Sequence, residues 1–221
     1  MTYDPSGKPQ DGPLGTDRPN TASAFGYYSL KWAHMVTNLG FTQLWYQGTP
    51  INTCLPVVGT SSACQYAEGR GNFVRLIRNA DGSISSNGVV NDARTDPLIQ
   101  TDFTLRHEIV VKEGQRLAFE ANVLNIFNQR AVESVYEFAI PTNLISPNRA
   151  SRFPGDPQVD WGRVMNGYNY IDALNATGAF AGTVAGSSTV VQPKLTLASR
   201  YGMPNLFQQA RNIRLAVRFT F

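Results

Sequence analysis

The residues of this chain best equipped for chemistry are few and widely spaced. Its only histidines are His34 and His107, and its only cysteines are Cys54 and Cys64. A structural zinc site needs four such ligands at close spacing, and the usual second ligand pair is missing, so no metal is expected. The two cysteines share a Gly/Ser/Thr/Pro-rich stretch, where a loop-closing disulfide and an oxidising compartment are the better fit. No Ser/His/Asp or Cys/His arrangement stands out to supply a nucleophile with its base. Asp156 and Asp160 sit in Pro/Gly-rich sequence, which suits solvation or a surface calcium contact better than acid/base work. Gly69-Arg70-Gly71 lacks the spacing and the strand-to-helix context of a dinucleotide loop, and Asn175-Ala176-Thr177 reads as a chance glycosylation sequon. No catalytic, cofactor-binding or metal residue is assigned, and an enzyme is not expected.

Composition narrows the classes further. A hydrophobic content of 42% argues against wholesale disorder, while a charged content of 16% falls below the usual soluble value of about 25%. Such a chain hides surface from water in some other way. The net charge of +3 arises from 19 basic and 16 acidic residues that form no stripe, so nucleic acid is not an expected partner. Apolar runs are too short for a transmembrane helix, so any membrane role must come through strands. The start, MTYDPSGKPQDGPLG, has no secretory leader pattern, which points to a cytosolic protein or to the tail of a longer polypeptide.

Strand periodicity supplies the positioning elements. Ile213, Leu215, Val217, Phe219 and Phe221 share one face of the stretch 210–221, with Arg214, Ala216, Arg218 and Thr220 on the other. The same alternation runs through 24–35, 39–47, 98–111 and 116–127, with tight turns expected at Val36 to Asn38 and at Lys112 to Gly114. Several of these strands exceed the five or six residues typical of soluble sheets and approach a tilted bilayer crossing. The stretches 48–97 and 128–209 are dense in Gly, Asn and Pro and read as long loops. The expected fold is all-β, an antiparallel meander of about five long strands with short turns at one end and long loops at the other, as in outer-membrane barrels.

At this point the residues resemble the TonB-dependent outer-membrane receptors, more narrowly the Oar-like barrels. The resemblance rests on GPLGTDRPNTASAFGYYSLKW at 12–32, GFTQLWYQGTPINT at 40–53, LAFEANVLNIFNQR at 117–130 and SRYGMPNLFQQARNIRLAVRFTF at 199–221. Within these, Leu124 to Asn128 (LNIFN) resembles the family's penultimate-strand motif, and Ile213, Leu215, Val217, Phe219 and Phe221 resemble the C-terminal signal read by the barrel-assembly machinery. Such receptors have about 22 strands around an N-terminal plug. The resemblance therefore implies an incomplete barrel segment, the C-terminal portion of a receptor that takes up a bulky substrate with energy from TonB. Contact with TonB would run through N-terminal parts, and the fragment would not transport alone.

The same resemblance implies an outer-membrane location in a Gram-negative cell, with loops extracellular and the C-terminus periplasmic. Asp102, Arg106, Glu108, Glu120, Arg214 and Arg218 would face the lumen, the two C-terminal arginines finding partners among Asp102, Glu108 and Glu120. Tyr27, Tyr28, Trp45, Tyr46 and Phe127 would join the outer aromatic girdle, with Phe219 and Phe221 at the inner one. His34 and His107 would pack near the inner membrane edge. The competing expectation is an autonomous extracellular all-β binding or adhesion module. A short-chain autotransporter anchor is a third, but no heptads of a coiled stalk appear.

Overall fold

The computed structural model describes residues 11–56, 64–141, 167, 169–175, 177 and 196–221. Eleven strands and one short helix occur among them: β1 (Thr21–Trp32), β2 (Met35–Tyr46), β3 (Cys54–Pro56), β4 (Cys64–Tyr66), β5 (Phe73–Arg78), β6 (Ile84–Val90), β7 (Leu98–Lys112), β8 (Gln115–Leu124), β9 (Val132–Val135), α1 (Tyr170–Asn175), β10 (Pro204–Phe207) and β11 (Asn212–Thr220). The fold is all-β. The residues divide into two compact units, one holding residues up to 17, 49–94 and 135–204, the other 18–48, 95–134 and 205–221.

The second unit is an antiparallel five-stranded sheet of order β1-β2-β7-β8-β11. Among the described residues the sheet is open, and β1 and β11 each have a single strand neighbour. The β7–β8 hairpin turns at Glu113 and Gly114, where Gly114 has φ of 83°, a conformation that suits glycine. The β1–β2 turn lies at Ala33 and His34, not at Val36 to Asn38 as expected. Thr37 and Asn38 look like turn formers, yet both sit inside the ladder opposite Leu30 and Ser29. There the Ser29 hydroxyl donates to Asn38 Oδ1 at 2.8 Å. Ala33 takes a left-handed φ of 46°, which its residue type does not advertise. His34 is accordingly a turn residue and not a strand residue. β8 ends at Leu124, so Phe127 falls in the following turn rather than on the strand face.

The first unit overturns the reading of 48–97 as loop. Two hairpins, β3–β4 and β5–β6, form there. Val74, Leu76 and Ile84 from the second hairpin join Leu55, Ala67, Ala139, Ile140, Tyr170 and Leu174 in one apolar cluster. Composition hid these strands because they are short and bounded by Gly, Asn and Ser. Helix α1 is anchored to the hairpin through Asn175, whose Oδ1 accepts from Ile84 N and whose Nδ2 donates to Ile84 O, both at 2.7 Å. The amide thus copies a strand partner's backbone. In 128–209, β9 and β10 pair as a ribbon where no strand was assigned. Asp156 and Asp160 lie outside the described residues.

Candidate functional site

Strand register builds two chemically distinct faces in the five-stranded unit. One face carries the rows Trp32–Met35–Ile109–Leu117–Phe219, Leu30–Thr37–His107–Phe119–Val217, Tyr28–Leu39–Leu105–Ala121–Leu215 and Gly26–Phe41–Phe103–Val123–Ile213. Apolar side chains dominate every row. His107, one of the polar exceptions, is satisfied by Thr37, whose Oγ1 lies 2.9 Å from Nδ1. The opposite face carries Lys31–Val36–Glu108–Ala118–Arg218, Ser29–Asn38–Arg106–Glu120–Ala216 and Tyr27–Gly40–Thr104–Asn122–Arg214, with Asp102 one step further along β7. All six charged residues singled out from the sequence therefore share a face.

Their pairing differs from the expectation. Arg106 bridges Glu108 at 3.0 Å and approaches Glu120 at 3.6 Å, while Arg116 takes the other Glu108 oxygen at 3.1 Å. Among the described residues no carboxylate lies within ion-pair distance of Arg214 or Arg218; Arg214 Nε instead donates to Asn212 Oδ1 at 3.3 Å. The acids sit closer in register to the arginines of β7 and β8, which take them first. Arg116 was missed because it opens its strand beside the turn and reads as an exposed end.

Exposure across this sheet runs opposite to that of a water-soluble one. On the inner strands Phe41 and Phe119 of the apolar face are 45% and 44% exposed, whereas on the charged face Ala118 is 4% exposed and the Glu108 side chain 13%. Among the expected aromatics, Tyr27 and Tyr28 are adjacent in β1 and so point to opposite faces, as do Trp45 and Tyr46 in β2. Tyr28 also lies mid-strand. The outer-girdle expectation therefore narrows to Trp45, while Trp32 and Phe219 share the row beside the short turns.

LNIFN is a polar clamp. Leu124 closes β8; Asn125 and Asn128 then both take φ of 52°, a conformation for which asparagine is enriched. Asn125 is 2% exposed. Its backbone N donates to Asp102 Oδ1 at 2.8 Å, its Nδ2 donates to the Gln129 and Gln209 carbonyls at 2.9 Å each, and its Oδ1 accepts from Gln129 N at 2.9 Å. Asn128 Oδ1 accepts from Arg211 N at 3.1 Å. The motif thereby ties β7, the end of β8 and the approach to β11 together. Asp102, assigned to the lumen by its face, spends one oxygen on this clamp.

The first unit holds its own polar centre. Cys54 and Cys64 are disulfide-bonded, with Cα atoms 4.9 Å apart. Beside Cys54, Glu137 Oε1 accepts from Asn52 N at 2.9 Å and from Asn52 Nδ2 at 3.0 Å. Burial raises the Glu137 pKa above the ordinary carboxylate value, against the lowering effect of the Asn52 bonds. Thr53 Oγ1 accepts from Val74 N at 2.8 Å and meets the Tyr201 hydroxyl, which donates to Val74 O at 2.6 Å. Burial, with Glu68 beside Tyr170 and Glu137 near Tyr201, raises both phenol pKa values and keeps them neutral. The disulfide is the one expected from the sequence; Asn52, Thr53, Glu137, Tyr170 and Tyr201 did not announce themselves there, because their partners come from distant segments.

No family model, curated protein or solved structure matches the chain. Among the described residues no three of His, Cys, Asp and Glu gather closely enough to hold a metal ion, and no helix is long and apolar enough to cross a membrane. The latter says nothing of crossing by strands.

Proposed function

We propose that the five-stranded unit is a stretch of wall from a transmembrane β-barrel of the TonB-dependent receptor kind, set in the outer membrane of a Gram-negative cell. Its apolar face meets lipid, and its charged face, with Asp102, Arg106, Glu108, Glu120, Arg214 and Arg218, lines a lumen. Inverted exposure carries this reading: inner-strand side chains as open as Phe41 and Phe119 are costly in water and favourable in hydrocarbon. Strand lengths support it, since β1, β2 and β7 have 12, 12 and 15 residues, where about 9 to 11 suffice for a tilted crossing. The two edge strands fit as well, because a barrel leaves no strand without a second neighbour and would supply partners to both.

In this arrangement the turns at Ala33–His34 and Glu113–Gly114 face the periplasm. The segments between β2 and β7 and between β8 and β11 leave the extracellular end, where they contribute to capture of a bulky substrate whose uptake TonB energises. Ile213, Leu215, Val217, Phe219 and Phe221 present the strand that the barrel-assembly machinery reads. The alternative, an autonomous extracellular binding module, gains from the separate core of the first unit but leaves the greasy sheet face in water. Expression of the chain with an export leader, followed by alkaline carbonate and detergent extraction of membranes, separates the two. Retention in the carbonate-washed outer membrane and release by detergent are expected. A soluble, cooperatively folding monomer obtained without detergent would sink the proposal.

A further inference from the structure

Beside the disulfide-bearing hairpin, the first unit carries an open cavity of about 400 Å³ walled by Tyr136, Phe138, Ile140, Leu197 and Tyr201, with Arg200 at its rim. That volume lies in the range of small-molecule sites, which are mostly apolar with a few placed polar groups. The walls are held in place. Ala139 N donates to Cys54 O at 2.9 Å, Ala198 N to Ala139 O at 2.8 Å, and the Tyr201 ring stacks on Phe73 with centroids 5.1 Å apart. Both walls are thereby fixed to the unit's core.

Arg200 gives the cavity its chemistry. Its guanidinium lies 5.5 Å from the centre of the Tyr136 ring, and Nη1 donates to the Tyr136 hydroxyl at 3.2 Å. No carboxylate is paired with it among the described residues. A guanidinium has five N–H donors in a fixed fork, and Tyr136 takes one of them while orienting the rest. Glu137, next in sequence, is committed to Asn52 and does not neutralise it.

We infer that this cavity binds a small apolar monocarboxylate, its hydrocarbon body against Phe138, Ile140 and Leu197 and its carboxylate on the free donors of Arg200. Binding at the first unit does not depend on whether the five-stranded sheet crosses a membrane, so failure of one claim leaves the other standing. Within the receptor reading, it names the chemical class of ligand that the extracellular side accepts.

The test uses the full chain with its disulfide intact and three soluble probes of one shape: 4-phenylbutyrate, 4-phenylbutanol and 4-phenylbutylamine, with binding followed by ligand-observed NMR. The carboxylate should bind roughly tenfold more tightly than the alcohol, in keeping with one charge-assisted contact, and the amine more weakly than either. Arg200→Gln should abolish the preference for the carboxylate while leaving alcohol binding unchanged, and Arg200→Lys should restore part of it. Phe138→Ala should weaken acid and alcohol together. Equal binding of acid and alcohol to the unaltered chain, an undiminished preference in Arg200→Gln, or no binding of any probe would each overturn the inference.

Discussion

The side-chain amide of Asn125 donates to the backbone carbonyl of Gln209, 84 residues away, and to that of Gln129, both at 2.9 Å. One buried side chain thus sets where β8 stops and where the chain turns toward β11. Asn125→Ala removes the donors, leaves two carbonyls and the Gln129 N–H without their partner, and forces alanine into a left-handed φ. The expected loss is roughly 2 to 4 kcal/mol. Asn125→Gly loses the same bonds but relieves the backbone, so it should be milder by about 1 kcal/mol. Urea unfolding of the chain refolded in detergent measures both. Equal stability of Asn125→Ala and the unaltered chain would show that the clamp is incidental.

The physics of period two explains how much could be read in advance. A two-faced strand writes its faces into alternate residues, so β7 and β11, and the common face of Asp102, Arg106, Glu108, Glu120, Arg214 and Arg218, were legible without coordinates. Pairing of charges was not, because it depends on register: Arg106 and Arg116 reach the acids that Arg214 and Arg218 were expected to take. The turn at Ala33 stayed hidden since alanine carries no signal for positive φ. β5 and β6 were lost in polar composition, for their buried side chains Val74, Leu76 and Ile84 are few and find their neighbours only through Leu55, Ile140 and Leu174. The disulfide was legible because only two cysteines exist; Glu137 and Arg200 were not, because nothing local distinguishes them from any exposed charge.

Adjacent residues in β11 give a sharp comparison of its faces. Leu215 lies on the apolar face opposite Ala121, and Ala216 on the charged face opposite Glu120. If the sheet meets lipid, Leu215→Arg puts a guanidinium near the middle of the bilayer and should cost roughly 2 to 4 kcal/mol. Ala216→Arg gains a carboxylate directly across the ladder and should be neutral or slightly favourable. The fraction folded into lipid vesicles, read by heat-dependent gel mobility, distinguishes them. Equal tolerance of both would remove the lipid from the account.

The Cys54–Cys64 bridge closes a short loop, with a sequence separation of 10. Chain-entropy reasoning gives roughly 2 to 3 kcal/mol for a loop of that length. The paired substitution Cys54→Ala and Cys64→Ala should lower the first unit's thermal stability by that order, and reductant should bring the unaltered chain to nearly the same midpoint. Because Cys54 is 3% exposed and its backbone joins the strand segment around Phe138, the change should also loosen the cavity wall. Hydrogen exchange at Ala139 reports this directly: its amide, bonded to Cys54 O, should exchange faster in the bridgeless chain.

Glu137 ties acidity to stability with a sign opposite to that of a salt-bridged carboxylate. Burial raises its folded pKa above the ordinary value of 4.5, so between those two pKa values the folded state holds more proton than the unfolded state. Stability from this group is therefore fully present below pH 4.5 and is lost as pH rises through the folded pKa, beyond which it stays level. Glu137→Gln keeps an oxygen to accept from Asn52 N and Nδ2 without a buried charge. It should raise the first unit's melting temperature at neutral pH and flatten that part of the pH profile. Glu137→Leu should instead destabilise, since both Asn52 donors lose their acceptor. Thermal unfolding of the three proteins from pH 4 to pH 8 measures the effect; a Glu137→Gln protein less stable than the unaltered chain at pH 8 would mean that the carboxylate's bonds to Asn52 outweigh its burial.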